Sequence, residues 1–267
     1  MVNVVIPMAG RGSRFWGSAD PGPKPLIPVI QGKRMVELVI DYLRPYAQRF
    51  IFICLEDHQR AFDFEPFFAS RTGPYELVLA KNVTRGPAAT TLLAADLMND
   101  DSELLIAYCD SVLTIDPAKF LRYSRSRRAD GALITYPSQS PADSYAELDA
   151  QGRVLRTAEK EVISEHATAG FYYFSRGRDY VSAASKLLAA ENDAERELFV
   201  CPVYNELIRR GKKVVAYAIR RDQQIEMGTP DDLALSRQWL RRTNPAAAML
   251  GERAATAPRR QATGARG

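Results

Sequence analysis

The segment Val4–Val29, VVIPMAGRGSRFWGSADPGPKPLIPV, decides how the chain is read. An apolar run leads in, a Gly-x-Gly turn follows, and a lysine stands between two prolines shortly after. The run VNVVIP, ending at Pro7, reads as a strand apolar on both faces, the pattern of a sheet covered on both sides. Behind it, Ala9, Gly10, Gly12 and Ser13 form a turn whose glycines let the backbone bend and aim its amides at an anion. The loop is not a Walker A sequence, and it is not G-x-G-x-x-G, because Phe15 stands where the third glycine would be. A plain turn accounts for a glycine pair equally well. Two cations strengthen the other reading. Arg14 offers a planar five-donor fork suited to phosphate oxygens, and Pro23 and Pro25 restrict the backbone around Lys24 so that its ammonium takes a set direction. Taken singly, each would pass for a solvated surface charge.

Outward from this segment, RMVELVIDYLRPY, RAFDFEPFFAS and GPAATTLLAADLM read as helices, alternating with RFIFICL, YELVLA and ELLIAYC as strands. Strands apolar on both faces and separated by single helices predict an α/β fold with a doubly wound, mostly parallel sheet. The second half changes character. GALITYPS, YAELDAQGRVLRTAEK, TAGFYYFS and KKVVAYAI read as strands, with DYVSAASKLLAAEN and FVCPVYNELIRRG as helices, an α+β region appended to the first sheet.

The chain has 267 residues, 46% apolar and 25% charged, the make-up of an ordinary globular protein. The reading is one domain over 1–243 and a basic tail, 244–267, too poor in large apolar side chains to offset its ordering entropy and therefore expected to be disordered. The alternative for the tail is a basic arm that touches a neighbouring subunit or a polyanion. From Arg241 onward six arginines face a single acid, Glu252, so the net charge of +4 is concentrated there and the body is close to neutral. No nucleic-acid partner is expected. No run of eighteen apolar residues or secretory signal is present, so the expectation is a cytoplasmic protein without a membrane partner. Cys54, Cys109 and Cys201 are odd in number and lack C-x-x-C spacing, which favours reduced buried thiols over disulfides or zinc. With only His58 and His166 present, any metal must sit on oxygen ligands.

Such ligands have candidate positions. ELLIAYCDSVL reads as a buried strand ending at Asp110, and the carboxyl ends of sheet strands are where open α/β proteins bind ligands. A carboxylate there suits Mg²⁺ held between protein and phosphates; capping the next turn is the plain alternative. In QIEMGTPDDL, Glu226 lies on a strand, whereas Asp231 and Asp232 open a helix and complement its dipole.

The G-x-G-[ST]-R turn, followed about ten residues later by Pro-Lys-Pro, resembles the signature of nucleotidylyltransferases that make nucleotide sugars, and the resemblance covers about Met1–Trp239. It implies a Rossmann-like, glycosyltransferase-A-like sheet. Arg14 and Lys24 then match the catalytic cations, and Ala9, Gly10, Gly12 and Ser13 the phosphate loop. Gly86 and Ala88 of KNVTRGPAATTLLAA match an element near the nucleotide base. Asn82, Thr84 and Arg85 stand where these enzymes often carry a glutamine, which leaves the base open. Asp110 matches the nucleotide- and metal-binding acid, and Glu226 stands where a second metal-binding Asp is usual. Glu159 and Lys160, with Gly170 and Tyr172 of the later strand, match the acceptor-binding hairpin, so that Lys160 meets the acceptor's phosphate and Glu159 its hydroxyls.

The resemblance implies a Mg²⁺-dependent transfer of NMP from an NTP to a sugar 1-phosphate, giving a nucleotide sugar and pyrophosphate. A cytidylyltransferase acting on phosphocholine or on a small capsule-modification precursor such as an amino-acid amide is the alternative. A non-catalytic nucleotide-binding subunit is a further one. A glycosyltransferase that consumes a finished nucleotide sugar is disfavoured, because D-x-D is missing. The expected partners are an NTP and a small phosphorylated acceptor, with homo-oligomerisation left open.

Overall fold

The computed structural model describes residues 1–18, 22–193 and 195–242; the tail from Asn244 lies outside them. The strands are β1 (Val2–Pro7), β2 (Pro28–Ile30), β3 (Lys33–Arg34), β4 (Ala47–Leu55), β5 (Tyr75–Ala80), β6 (Leu104–Ala107), β7 (Ser111–Leu113), β8 (Gly131–Pro137), β9 (Ser144–Leu148), β10 (Val154–Glu159), β11 (His166–Phe174), β12 (Val214–Ala218) and β13 (Gln224–Glu226). The helices are α1 (Met35–Leu43), α2 (Glu56–Phe62), α3 (Phe64–Ala69), α4 (Pro87–Leu92), α5 (Ala95–Met98), α6 (Pro117–Ser126), α7 (Gly177–Ala190), α8 (Tyr204–Arg209) and α9 (Pro230–Arg242).

β1 runs through the middle of the large sheet, parallel to β4 on one side and to β6 on the other, with β5 parallel to β4 beyond. The chain thus moves outward from β1 through β4 to β5 and then returns to the other side of β1 as β6. That reversal makes the crevice at the carboxyl ends of β1 and β6 a topological switch point. Past β6 the sheet turns antiparallel at β11, which also pairs with β8 and β9; β10 extends β9, and β12 runs parallel to β8. A separate ladder joins β7 to β13 and ties the chain after Asp110 to the Glu226 segment.

Alternation along the strands feeds two cores. Phe50, Phe52 and Cys54 of β4 face one with α1, α3, α6 and α9, while Ile51, Ile53 and Leu55 face the other with α7 and α8. The sheet is therefore covered on both sides, as the doubly apolar runs predicted. All three cysteines are buried free thiols, and burial pushes Cys54 and Cys109 up to about 12. Two expected helices are each broken in two. RAFDFEPFFAS divides at Asp63, whose φ is 49°, and the break allows Phe64, Phe67 and Phe68 all to turn into the core. GPAATTLLAADLM divides into α4 and α5. Sequence reasoning missed α6, where only Pro117, Phe120, Leu121 and Ser124 are buried; its signals were the Asp116 cap on Ala118 and Pro117 at the first turn.

Candidate active site

At its exit β1 is prolonged by Met8, whose amide donates to Ile53 at 2.8 Å, before the chain bends at Gly12, with φ 65° and ψ 33°. A short 3₁₀ turn follows over Ser13–Phe15, closed by Phe15 N–H to Gly12 C=O at 2.9 Å. Phe15 is buried and pins the turn, leaving Arg14 exposed. A second 3₁₀ turn, Lys24–Leu26, is anchored by buried Pro25 and Leu26. The two turns touch: a Cβ on Gly12 would lie 2.9 Å from the Lys24 Cβ, so the glycine is needed for close approach as well as for its left-handed backbone.

Lys24 Nζ forms an ion pair with Asp110 Oδ2 across the crevice, joining the turn after β1 to the end of β6. The two side chains retain 16% and 23% of their exposure, which leaves the pair open to an incoming ligand. Burial alone would push the Lys24 ammonium down, but the facing carboxylate reverses this and holds it above its ordinary range. Asp110 is likewise held below the ordinary carboxylate range, the Lys24 charge and hydrogen bond outweighing its burial.

These groups line a cleft of about 700 Å³, within the range of small-molecule sites. Ala9, Gly10, Gly12, Ser13, Arg14 and Lys24 line it together with Thr84, Gly86, Pro87, Tyr108 and Asp110. Among the contributors that escaped the sequence reading are Tyr108, Glu197 and Phe199. Tyr108 was within reach of the strand's period, since it stands two residues before Asp110 on the same run. Glu197 and Phe199 belong to a strap that crosses the element at Gly86. Leu198 N–H donates to Arg85 C=O at 2.6 Å, and Ala88 N–H donates to Leu198 C=O at 2.9 Å.

Several expected site residues stand elsewhere. Ala88 is buried and its amide serves the strap. Tyr172 is buried behind Tyr108, edge to face at 5.7 Å, with its hydroxyl 3.0 Å from Thr168 Oγ1. Gly170, at φ 76°, makes room for the Tyr108 ring, which a Cβ would approach to 3.2 Å. Glu226 accepts a hydrogen bond from Arg221 Nη2 at 2.8 Å and lines a separate cavity of about 20 Å³. It pairs across the ladder with Ser111, one residue from Asp110, so the period of two separates the two acids. Asp232 shares the small cavity and accepts from Thr229 Oγ1 at 2.6 Å, as befits a helix-start acid.

The hairpin residues Glu159 and Lys160 do not line the cleft; Lys160 lies against Glu197 and Phe199, which do. Lys160 ends β10 in a left-handed conformation, φ 55°, uncommon for a side-chain-bearing residue and concentrated at functional sites. Its ammonium is 3.5 Å from Glu197 Oε2 and 4.7 Å from the centre of the Phe199 ring. Glu159 accepts a hydrogen bond from Ser144 Oγ. Burial, reinforced by the charges of Glu197 and Asp143, raises its carboxyl to about 7 despite Ser144 and Lys160. A titrating carboxyl of this kind makes stability depend on pH, and Glu159→Gln removes the dependence. A carboxyl raised from 4.5 stabilises the fold fully below 4.5, and that contribution is lost as pH rises through about 7. Thermal scans at pH 5 and 8 therefore show a wild-type decrease that the glutamine variant lacks.

For a divalent cation, the described residues contain no cluster of three or more acidic, histidine or cysteine side chains. Mg²⁺ does not require one, because one or two carboxylates with substrate phosphates and water suffice. Asp110 on the cleft wall fits that role, whereas Glu226, directed to Arg221, is not brought beside it. No helix among the described residues is long and apolar enough to cross a membrane.

Comparison with known proteins agrees with this architecture. No curated protein sequence matches the chain. Among solved structures, a nucleoside-diphosphate-sugar pyrophosphorylase from Vibrio cholerae RC9 superposes with a TM-score of 0.76 at 26% identity, covering 88% of this chain and 99% of its own. A Bacillus anthracis protein assigned as a glucose-1-phosphate thymidylyltransferase, solved with sucrose, shares the fold with a TM-score of 0.73 at 16% identity, covering 89% and 94%. The family profile described as nucleotidyl transferase matches residues 3–240, and the chain belongs to that family.

Proposed function

We propose that the protein transfers NMP from an NTP to a small phosphorylated acceptor of the sugar 1-phosphate class, releasing pyrophosphate. The observation that carries this reading is the convergence of the glycine turn, Arg14, Lys24 and Asp110 on one cleft at the switch point. Amides of Gly10–Ser13 and the Arg14 guanidinium bind the β- and γ-phosphates, and Lys24 stabilises the charge that develops around the α-phosphorus. An acceptor phosphate oxygen attacks that phosphorus in line, and the bond to the β-phosphate bridging oxygen breaks as pyrophosphate leaves. The attacking oxygen is already anionic at neutral pH, so no general base is needed. When bound, Mg²⁺ held by Asp110 supplies neutralisation of phosphate charge.

The test is a panel of the four NTPs against pooled phosphorylated acceptors, with pyrophosphate followed and products identified by mass. A nucleotide joined to one acceptor, with stoichiometric pyrophosphate, is the expected result. NTP binding with no coupled product would replace this reading by the non-catalytic one.

A further inference from the structure

The two halves of the cleft differ in charge. Arg11, Arg14 and Lys24 line its phosphate end together with Asp110, whereas Glu197 lines it beside Phe199 and pairs with Lys160, and the charges of Glu197 and Asp143 both act on Glu159 next to that lysine. Within that group the Lys160 ammonium occupies a defined seat, bounded by the Glu197 carboxylate at 3.5 Å and the Phe199 ring at 4.7 Å. Both walls of the seat also line the cleft. Their position is fixed by the strap's backbone bonds to Arg85 and Ala88 and by the Arg85 guanidinium, which donates to Asp193 C=O at 2.6 Å.

Resting on the transfer reading above, we infer that the acceptor carries an ammonium group in addition to its phosphate, and that this ammonium takes the seat between Glu197 and Phe199. The argument is a charge exchange. An acceptor phosphate drawn to Lys160 pulls that lysine off Glu197 and off the ring. A carboxylate then loses its counter-ion, with Glu159 nearby, and an aromatic face loses its cation. An ammonium on the acceptor restores both contacts in the same step. A neutral acceptor restores neither. The lysine shows that the seat accepts a primary ammonium, so amino-sugar phosphates and phosphorylated small amines are the chemical class that fits.

The experiment compares matched acceptors at saturating NTP: glucosamine 1-phosphate against glucose 1-phosphate, and phosphoethanolamine against ethyl phosphate. In the pair that turns over, the ammonium member is expected to exceed its neutral counterpart in kcat/KM by about three- to fivefold, the scale of an exposed cation–π contact with a surface ion pair. Glu197→Gln brings that ratio close to one through acceptor KM, and Phe199→Leu lowers it part of the way. A neutral acceptor as good as its ammonium partner, or a preference undiminished in E197Q, overturns this inference and leaves nucleotidyl transfer standing. Absence of pyrophosphate with every acceptor overturns both.

Discussion

Lys24→Met lowers pyrophosphate release by about 10²–10³-fold, the scale of removing one preorganised charge donor from a developing phosphoryl transition state. The loss falls on kcat more than on the KM for NTP, because the amides of the glycine turn and Arg14 remain to hold the outer phosphates. Single-turnover measurement of pyrophosphate at saturating NTP separates the two. Lys24→Arg recovers little. The lysine stem passes against Gly12, and a planar fork cannot reproduce a point charge on that path. Stability provides a second readout. Methionine leaves Asp110 without its counter-ion in a partly buried crevice, expected to destabilise the fold by about 1–3 kcal/mol, less than a fully buried pair because water still reaches both groups. Adding Asp110→Asn removes the stranded charge, so the double variant is the more stable of the two and just as inactive. A double variant with restored activity, or a single one with near-normal turnover, would contradict the role given to this pair.

What the sequence made legible was the part of the site built from strand exits. A strand apolar on both faces fixes its own burial, and the residues immediately after it must emerge at the sheet's carboxyl edge, which brings the glycine turn with Arg14 and Asp110 to one cleft, while Lys24 was assigned to it by the family resemblance. The expected residues that stand away from the cleft share a physical origin, since position along the chain does not specify which face a side chain takes. β11 changes register between Thr168 and Tyr172, and that irregularity decides that Tyr172 supports Tyr108 from behind and does not reach the cleft. Glu226 is likewise directed by its pairing with Ser111. Glu197 and Phe199 carried no periodic signal at all. They follow α7 in an irregular segment whose course is set by backbone hydrogen bonds to residues more than a hundred positions earlier in the chain.

That dependence makes Gly86 a position where a small change disturbs the wall of the cleft. Gly86 has φ 98° and ψ 175°, a region essentially restricted to glycine, and the strap crosses directly above it. A Cβ there would lie 2.6 Å from Leu198 C=O and 2.8 Å from both Leu198 N and Glu197 Cγ. Two of those three atoms are backbone, so no rotamer change relieves the clash; either Gly86 or the strap must move. Gly86→Ala is expected to destabilise the protein by about 2–4 kcal/mol, from backbone strain together with the lost strap contacts. Gly211→Ala is the matched control: Gly211 also has positive φ, 72°, but a Cβ there would meet nothing within 4 Å, so only the left-handed backbone cost of about 1–2 kcal/mol remains. Denaturant midpoints of the two variants thus isolate the strap's share. Hydrogen exchange at Leu198 and Ala88, whose amides form the two strap bonds, gives the local readout, with faster exchange in Gly86→Ala and no change in Gly211→Ala. If the two variants lose equal stability and both amides stay protected, the strap is not held by this crossing, and the wall that presents Glu197 and Phe199 to the cleft must be positioned by other contacts.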